Sequence, residues 1–397
     1  MLSSSFKTNS TRFRPETPAE LTREDVAIKP FSENSARTLC SETEKKGIQQ
    51  RVLRWFEKNQ RPLPWRQTRD PYAIWVSEVM LQQTQVATVV PYYQRFLKAF
   101  PTVKALAKTD LSKVLKVWEG LGYYGRARSL QRAARVIVDH FGGRLPDNLE
   151  ALQRLPGIGR YTAGAILSIA YNQKAPVLDG NVKRVLSRLF ALSEDPNRSK
   201  SQDLFWDLAE TLLPEGHASA FNQGLMELGA TICTPKSPLC PQCPLNTYCK
   251  GNVSGNPENY PVKRARKAIP RRVALGAVIQ ENGRVLLRQT PTEGLLGGLW
   301  EFPNWTCQGK VGGRRELQNL LKARKDRSVQ VGQYLGAFKQ TFSHFKLTLH
   351  VYVCRISSGS IEGEWIPVKN LSSVPMSRLH RRIANRLLQG SAMERAG

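Results

Sequence analysis

The chain has 397 residues, with 59 Lys and Arg against 32 Asp and Glu, for a formal net charge of +27. That length sets a prior of two to three domains, and so basic a balance points to nucleic acid or an anionic surface as partner. Its longest apolar stretches, such as 163–171 and 273–279, fall well short of the roughly 18 residues a membrane span needs, which favours DNA or RNA. Seven cysteines, four of them crowded between Cys233 and Cys249, do not read as a secreted disulfide framework in a chain this long and imply a reducing compartment.

Residues 1–45 are rich in Ser, Thr and charge and poor in periodic apolar positions, the composition of a disordered tail. Lys7, Arg12 and Arg14 weakly resemble a targeting presequence, but Glu16, Glu20, Glu24 and Asp25 follow at once. A helical pattern over 47–59 (Ile48, Val52, Leu53, Phe56) leads into the loop RPLPWRQTRD. Asp70 and Pro71 then read as N-cap and first residue of a helix reaching to 83. Glu78 shares a stripe with Ile74 and Leu81, so its carboxylate is either solvated at an edge or desolvated. Desolvation would keep it protonated near neutral pH, as a general acid requires. Thr84 reads as the N-cap of the next helix, kinked or broken at Pro91.

Helices follow over 111–118 and 126–140, the second closed by Gly142 and Gly143. Between them lies GLGYYG, where Tyr123 is either core packing or a wedge for a base stack. A short helix over 149–155, a tight turn over 156–159 and a helix over 161–171 make a helix-hairpin-helix. Its Gly157 and Gly159 let backbone N–H groups approach a DNA phosphate, although the same string suits an ordinary helix–helix turn. Asp179 caps a helix over 180–190 and, beside such a hairpin, is also placed to stabilise positive charge on a deoxyribose.

After helices over 201–213 and 218–230 comes Cys233-x6-Cys240-x2-Cys243-x5-Cys249. Four thiolates on one compact loop suit a cubane iron–sulfur cluster, whereas structural zinc usually pairs two separated C-x2-C knuckles. A basic connector over 261–272 precedes strands over 273–280 and 285–289 that turn at Asn282-Gly283. A further strand over 345–353 places Leu347, Leu349, Val351 and Val353 on one face, and the last helix spans 377–388, so the C-terminal part is α+β.

With Glu78, the hairpin, Asp179 and the four cysteines in place, the chain closely resembles the adenine DNA glycosylases (MutY family) of the endonuclease III helix-hairpin-helix superfamily. The strings that carry the resemblance are PWR (64–66), SEVMLQQTQV (77–86), GLGYYGRAR (120–128), LPGIGRYTAGA (155–165) and LDGNVKRV (178–185), together with the cysteine spacing. It implies a multi-domain fold: a disordered tail (1–45), an all-α helix-hairpin-helix glycosylase domain with an iron–sulfur loop (46–250, loop 233–249), a basic linker (251–272), an α+β Nudix-like domain (273–390) and a second tail (391–397). The implied function is base-excision repair: hydrolysis of the N-glycosidic bond of adenine opposite 8-oxoguanine or guanine in double-stranded DNA. The implied enzyme is a monomer without membrane association, placed at the nucleoid in the cytoplasm of a bacterium or in the nucleus or mitochondrion of a eukaryote.

The resemblance also implies roles. Glu78 protonates a flipped adenine and later handles the attacking water, while Asp179 stabilises the oxocarbenium ion. Trp65, Arg66, Leu81 and Gln223 surround the adenine, Tyr161 and Asn181 lie near the sugar, and Gln83, Thr84, Leu121 and Tyr123 meet the opposite base. Cys233, Cys240, Cys243 and Cys249 hold a 4Fe-4S cluster. Ser343 and His344, within Phe342-Ser343-His344, recognise 8-oxoguanine, although a plain turn between strands also explains that string. Bifunctional relatives carry a Schiff-base lysine where Tyr161 stands, so the strand should stay unbroken. The Nudix-like box keeps GLLGGLWEFP (294–303), but Arg315-Glu316 lacks the glutamate pair that would hold Mg²⁺, which favours binding over hydrolysis. The rival readings, a glycosylase-lyase, a non-catalytic damage sensor and a nucleotide pyrophosphatase, are opposed respectively by Tyr161, by intact Glu78 and Asp179, and by the broken box.

Overall fold

The computed structural model describes residues 39–262, 268–307, 313–323, 329–357, 361 and 363–393; most of the expected N-terminal tail, the centre of the basic connector and residues 394–397 lie outside them. The helical part consists of α1 (Glu42–Asn59), α2 (Pro71–Leu81), α3 (Val86–Ala99), α4 (Val103–Lys108), α5 (Leu111–Trp118), α6 (Gly125–Phe141), α7 (Leu149–Gln153), α8 (Arg160–Tyr171), α9 (Gly180–Leu189), α10 (Ser199–Leu212), α11 (Ala218–Thr231) and α12 (Lys250–Val253). The α+β part follows as β1 (Arg271–Glu281), β2 (Arg284–Gln289), β3 (Trp300–Glu301), β4 (Asn304–Thr306), α13 (Gly313–Ala323), β5 (Val329–Thr341), β6 (Lys346–Ile356), β7 (Glu364–Pro367) and α14 (Arg378–Met393).

Local chemistry sets the boundaries, and some differ from the sequence expectation. Helix α1 begins inside the expected tail, because Ser41 and Glu44 form a reciprocal capping box: Glu44 N–H donates to Ser41 Oγ at 3.3 Å and Ser41 N–H to Glu44 Oε2 at 2.8 Å. Helix α2 starts as expected, with Tyr72 N–H donating to Asp70 Oδ1 at 3.0 Å, but it ends at Leu81. Residues Tyr72 to Met80 are buried on every face rather than along a stripe, which makes α2 the central helix of the unit. Thr84 is not a cap. Gln85 precedes α3, which runs through Pro91 unbroken, and the Thr84 hydroxyl instead accepts from Arg126 Nη2 at 3.1 Å. The short α4, capped by Thr102, was too brief to show a period.

Two cores fill the helical part. One gathers around Trp75, Phe96 and Trp118, and the other around Val52, Leu186, Phe205 and Phe221. Structure continues past 250 into the expected linker: Gly251 packs on the Arg188 backbone, where a Cβ would meet Arg188 O at 2.7 Å, and Arg188 Nε donates to Tyr260 O at 3.0 Å.

The sheet runs β3-β2-β1-β6-β5, with β4 on β1 and β7 on β2. Strands β1 and β6 are parallel and the other pairings antiparallel. Asn282 and Gly283 both take left-handed φ (48° and 71°), as a two-residue hairpin turn of this hand requires. Helices cover both faces. Val278, Leu349 and Val351 pack under α14 with Ile383, and Leu275, Ile279 and Cys354 pack under α13 with Leu317 and Leu321. This explains why β1 reads as a continuous apolar run instead of an alternation. Leu347 lies at the margin of the first layer and Val353 is only half-buried.

The two parts are docked. Leu299, from the GLLGGLW loop, enters the helical core, and Gly298 faces Leu115 and Leu111. Arg128 Nη1 donates to Gly297 O at 2.8 Å, Tyr124 Oη donates to Met376 O at 3.1 Å, and Arg381 pairs with Glu119, which Lys116 also holds at 2.7 Å. Among the described residues no helix is long and apolar enough to cross a membrane.

Candidate active site

A cleft of about 720 Å³ opens between the two helical cores. Trp65, Arg66, Glu78, Leu81, Gln83, Thr84, Tyr161, Asp179, Asn181 and Gln223 all line it, so the structure brings together ten of the residues singled out from sequence. Leu121, Tyr123, Gly157, Gly159, Ser343 and His344 lie outside its walls.

Glu78 stands on α2 at the cleft floor, with 4% of its surface exposed. Tyr161, from the first turn of α8, donates its hydroxyl to Glu78 Oε2 at 2.5 Å. Burial pushes the Glu78 carboxyl up to about 7; the phenol hydrogen bond opposes this, the neighbouring Asp179 adds to it and Arg66 opposes it. Tyr161 is driven well above its usual range by burial and by Glu78 and Asp179, so it is a fixed donor.

Asp179 caps α9, accepting from Val182 N–H at 2.7 Å and Asn181 Nδ2 at 2.9 Å. Burial raises it too, but those hydrogen bonds and Arg184 favour its charged form. Two carboxyls share one cleft, and their surroundings divide them. Glu78 has one donor and is the easier to keep protonated, whereas Asp179 sits at a helix N-terminus with several.

Sequence reasoning missed the third carboxylate. Glu227, on α11 and 1% exposed, accepts from Arg61 Nε at 2.6 Å, Arg61 Nη2 at 2.8 Å and Arg66 Nη2 at 2.8 Å. Burial pushes Glu227 up, but these two guanidiniums outweigh it and hold the carboxyl at about 2. The arrangement fixes Arg66 in the cleft wall, with its Nε buried and unpartnered among the described residues. A glutamate amid the apolar positions of α11 was the available signal.

At the cleft mouth, Tyr123 is 41% exposed with left-handed φ of 48°, while Leu121, which the resemblance set against the opposite base, is buried in the core. Ser343 Oγ donates to Tyr123 Oη at 3.2 Å across the two parts, on a turn closed by Phe342 N–H to Phe345 O at 2.8 Å; His344 is exposed beside it. In the hairpin Gly157 takes φ 80°, where a Cβ would also meet Ser129 Cβ at 2.6 Å, and Gly159 leaves open space at the start of α8.

Among the described residues no three ligating side chains close on a single metal ion. The four cysteines nevertheless form one group. Burial pushes Cys240, Cys243 (to about 12) and Cys249 up, and each also feels Cys233. Such mutual repulsion is what binding a shared iron–sulfur cluster would relieve. Arg188 builds the loop, donating to Cys233 Sγ at 3.4 Å, Thr234 O at 2.7 Å and Pro235 O at 3.1 Å. The residues therefore fit a 4Fe-4S group. Arg184 ties this loop to the cleft, donating from Nε to Cys233 O at 2.7 Å and from Nη2 to Asn181 Oδ1 at 2.9 Å.

Comparison with known proteins assigns families to three stretches of the chain. Residues 76–211 match the HhH-GPD superfamily of base excision DNA repair proteins, residues 233–249 the iron-sulfur binding domain of endonuclease III, and residues 274–386 the NUDIX domain. Adenine DNA glycosylase of Homo sapiens is 38% identical over 395 residues, covering 85% of this chain and 72% of its own length. Adenine DNA glycosylase of Buchnera aphidicola (from Acyrthosiphon pisum) is 36% identical over 308 residues, covering 77% and 86%. A solved structure of a thermostable thymine-DNA glycosylase is 35% identical and superposes with a TM-score of 0.50, covering 53% of this chain and 97% of that one.

Proposed function

The chain belongs to the adenine DNA glycosylase family, iron–sulfur enzymes of base excision repair, and from that premise we propose that it removes adenine opposite 8-oxoguanine or guanine and leaves the abasic strand unbroken. The observation that carries the chemistry is the pair of buried carboxyls in a single cleft, Glu78 pushed up to about 7 with one donor and Asp179, also raised by burial, held by several donors at a helix N-terminus. Protonated Glu78 gives its proton to a ring nitrogen of the extruded adenine as the bond from C1′ to the base breaks, and the electron pair leaves with a neutral base. Asp179 stabilises the oxocarbenium ion left behind. Glu78, now a carboxylate, takes a proton from the water that attacks C1′, which returns the acid to its starting state. Tyr161 orients Glu78 through its hydroxyl and has no amine to form a Schiff base with the sugar.

Cys233, Cys240, Cys243 and Cys249 would hold the 4Fe-4S cluster, which would brace their loop against α9 when bound. Gly157 and Gly159 anchor a phosphate, the sheet part reads the opposite base through Ser343 and His344, and the enzyme works as a monomer on duplex DNA in whichever compartment holds that DNA. Contact between Ser343 and the exposed Tyr123 supports a shared opposite-strand surface. Single-turnover rates on duplexes with adenine opposite 8-oxoguanine and opposite guanine, at fixed salt, test this reading. The Ser343→Ala, His344→Ala double variant should lose about 1 to 3 kcal/mol of preference for 8-oxoguanine. An unchanged preference would place the reader elsewhere.

A further inference from the structure

Arg126, the second residue of α6, lies half-buried between two loops that the mechanism above leaves unconnected. Its Nη1 donates to Val79 O at 2.9 Å, Met80 O at 2.7 Å and Gln82 O at 2.6 Å. Those carbonyls belong to the C-terminal end of α2, the helix that carries Glu78, where orphan acceptors collect and a cation is favoured. Its Nη2 donates to Thr84 Oγ1 at 3.1 Å, Gly122 O at 3.1 Å and Leu121 O at 3.4 Å. The guanidinium also lies 5.3 Å from the Trp118 ring centroid and 5.4 Å from that of Tyr123.

Two features set this apart from ordinary helix capping. The loops it spans each hold a non-glycine residue in left-handed backbone, Gln83 at φ 57° and Tyr123 at φ 48°, and such conformations persist only where their surroundings over-determine them. Among the described residues Arg126 also has no carboxylate partner: its neighbours are carbonyls, a hydroxyl and two rings. Burial draws its pKa down to about 10, so it stays charged at neutral pH with only dipoles to balance it. A guanidinium fork reaches both loops at once, which an ammonium on a shorter, non-planar head cannot do.

We propose that Arg126 is the positioning residue that holds the Gln83–Thr84 loop and the Tyr123 loop in register, so that both enter the duplex together while the end of the Glu78 helix stays fixed. The inference rests on the reading that Gln83, Thr84 and Tyr123 meet the opposite base. Its consequence is selective: Arg126 matters where a paired opposite base resists insertion, and much less where that base is missing.

The test uses full-length protein and two duplexes, one with adenine opposite 8-oxoguanine and one with adenine opposite a tetrahydrofuran abasic analogue. Arg126→Lys keeps the charge and loses the fork, and is expected to lower the single-turnover rate on the first duplex by roughly 10- to 100-fold while changing the second by less than about threefold. The rise in fluorescence of a 2-aminopurine placed beside the opposite base, which reports insertion, should fall with it. Equal losses on both duplexes, no loss on the first, or failure of Arg126→Lys to fold with a full complement of iron would each overturn the proposal by making Arg126 either irrelevant or merely structural. Tyr123→Ala separates the layers. If it shows no difference between the duplexes, the insertion reading itself fails; if it is selective and Arg126→Lys is not, only the role given to Arg126 falls.

Discussion

Replacing Glu78 with glutamine should remove activity and add stability, and the added stability should depend on pH. The carboxyl has an ordinary value of 4.5 and is pushed up to about 7 by burial. Between those values the folded state holds a proton that the unfolded state has released, so stability falls as pH rises through the window. At one unit per 1.36 kcal/mol, the wild-type penalty reaches about 3 kcal/mol above pH 7 and is under about 1 kcal/mol at pH 5. Glutamine has no proton to lose and can still accept from Tyr161. Glu78→Gln is therefore expected to be about 2 kcal/mol more favourable relative to wild type at pH 8 than at pH 5.

Urea unfolding followed by tryptophan fluorescence at the two pH values gives the comparison, because the difference of differences cancels most of the multi-domain complication. The excision rate of the same variant should fall by roughly 10²- to 10⁴-fold, the usual worth of a positioned acid. In the wild type the rate should decline by about tenfold per pH unit above about 7, as protonated Glu78 is lost. A stability difference equal at both pH values would refute the claim that Glu78 is held protonated by its burial, whatever the activity does.

Two further outcomes follow. Incubation with borohydride should trap little or no protein–DNA adduct, since Tyr161 offers a phenol where a Schiff base needs an amine; strand breaks before alkali treatment would contradict this. Arg188→Met should lower the iron-to-protein ratio several-fold, because that guanidinium donates to a cysteine sulfur and three carbonyls of the loop region, and an unchanged ratio would show that the loop holds itself.

Much of the helical unit was legible because its local signals agree. Asp70 with Pro71, Gly142 after α6 and Asp179 before α9 each mark an end that the backbone obeys. The misses have local causes as well. Ser41 and Glu44 form a capping box that composition alone had assigned to a tail. Thr84 has the right residue type for a cap, but its hydroxyl is taken by Arg126, a partner 42 residues away that no window could include. Residues 251–260 look like linker because they are polar, yet Arg188 draws them back onto α9 through Tyr260 O.

The site divides along the same line. Glu78, Asp179 and the four cysteines are visible because each is a chemical anomaly within a short string. Glu227, Arg61 and Arg126 are equally polar and equally placed on or beside apolar helices, but their meaning lies in contacts across long separations: Arg61 meets Glu227 over 166 residues, and Arg126 meets the end of α2 over 47. A buried charge needs such partners, since desolvation alone would cost several kcal/mol. A charged residue at a position whose neighbours on the helix are all apolar therefore announces that a partner exists without saying where. In this chain Glu78, Glu227 and Arg126 are all drawn out of water on helices of the core, and of the two carboxyls only Glu78 is shifted toward its protonated form. The other two stay charged, Glu227 against two guanidiniums and Arg126 against helix-end carbonyls, which fits residues that hold the cleft in shape while Glu78 does the chemistry within it.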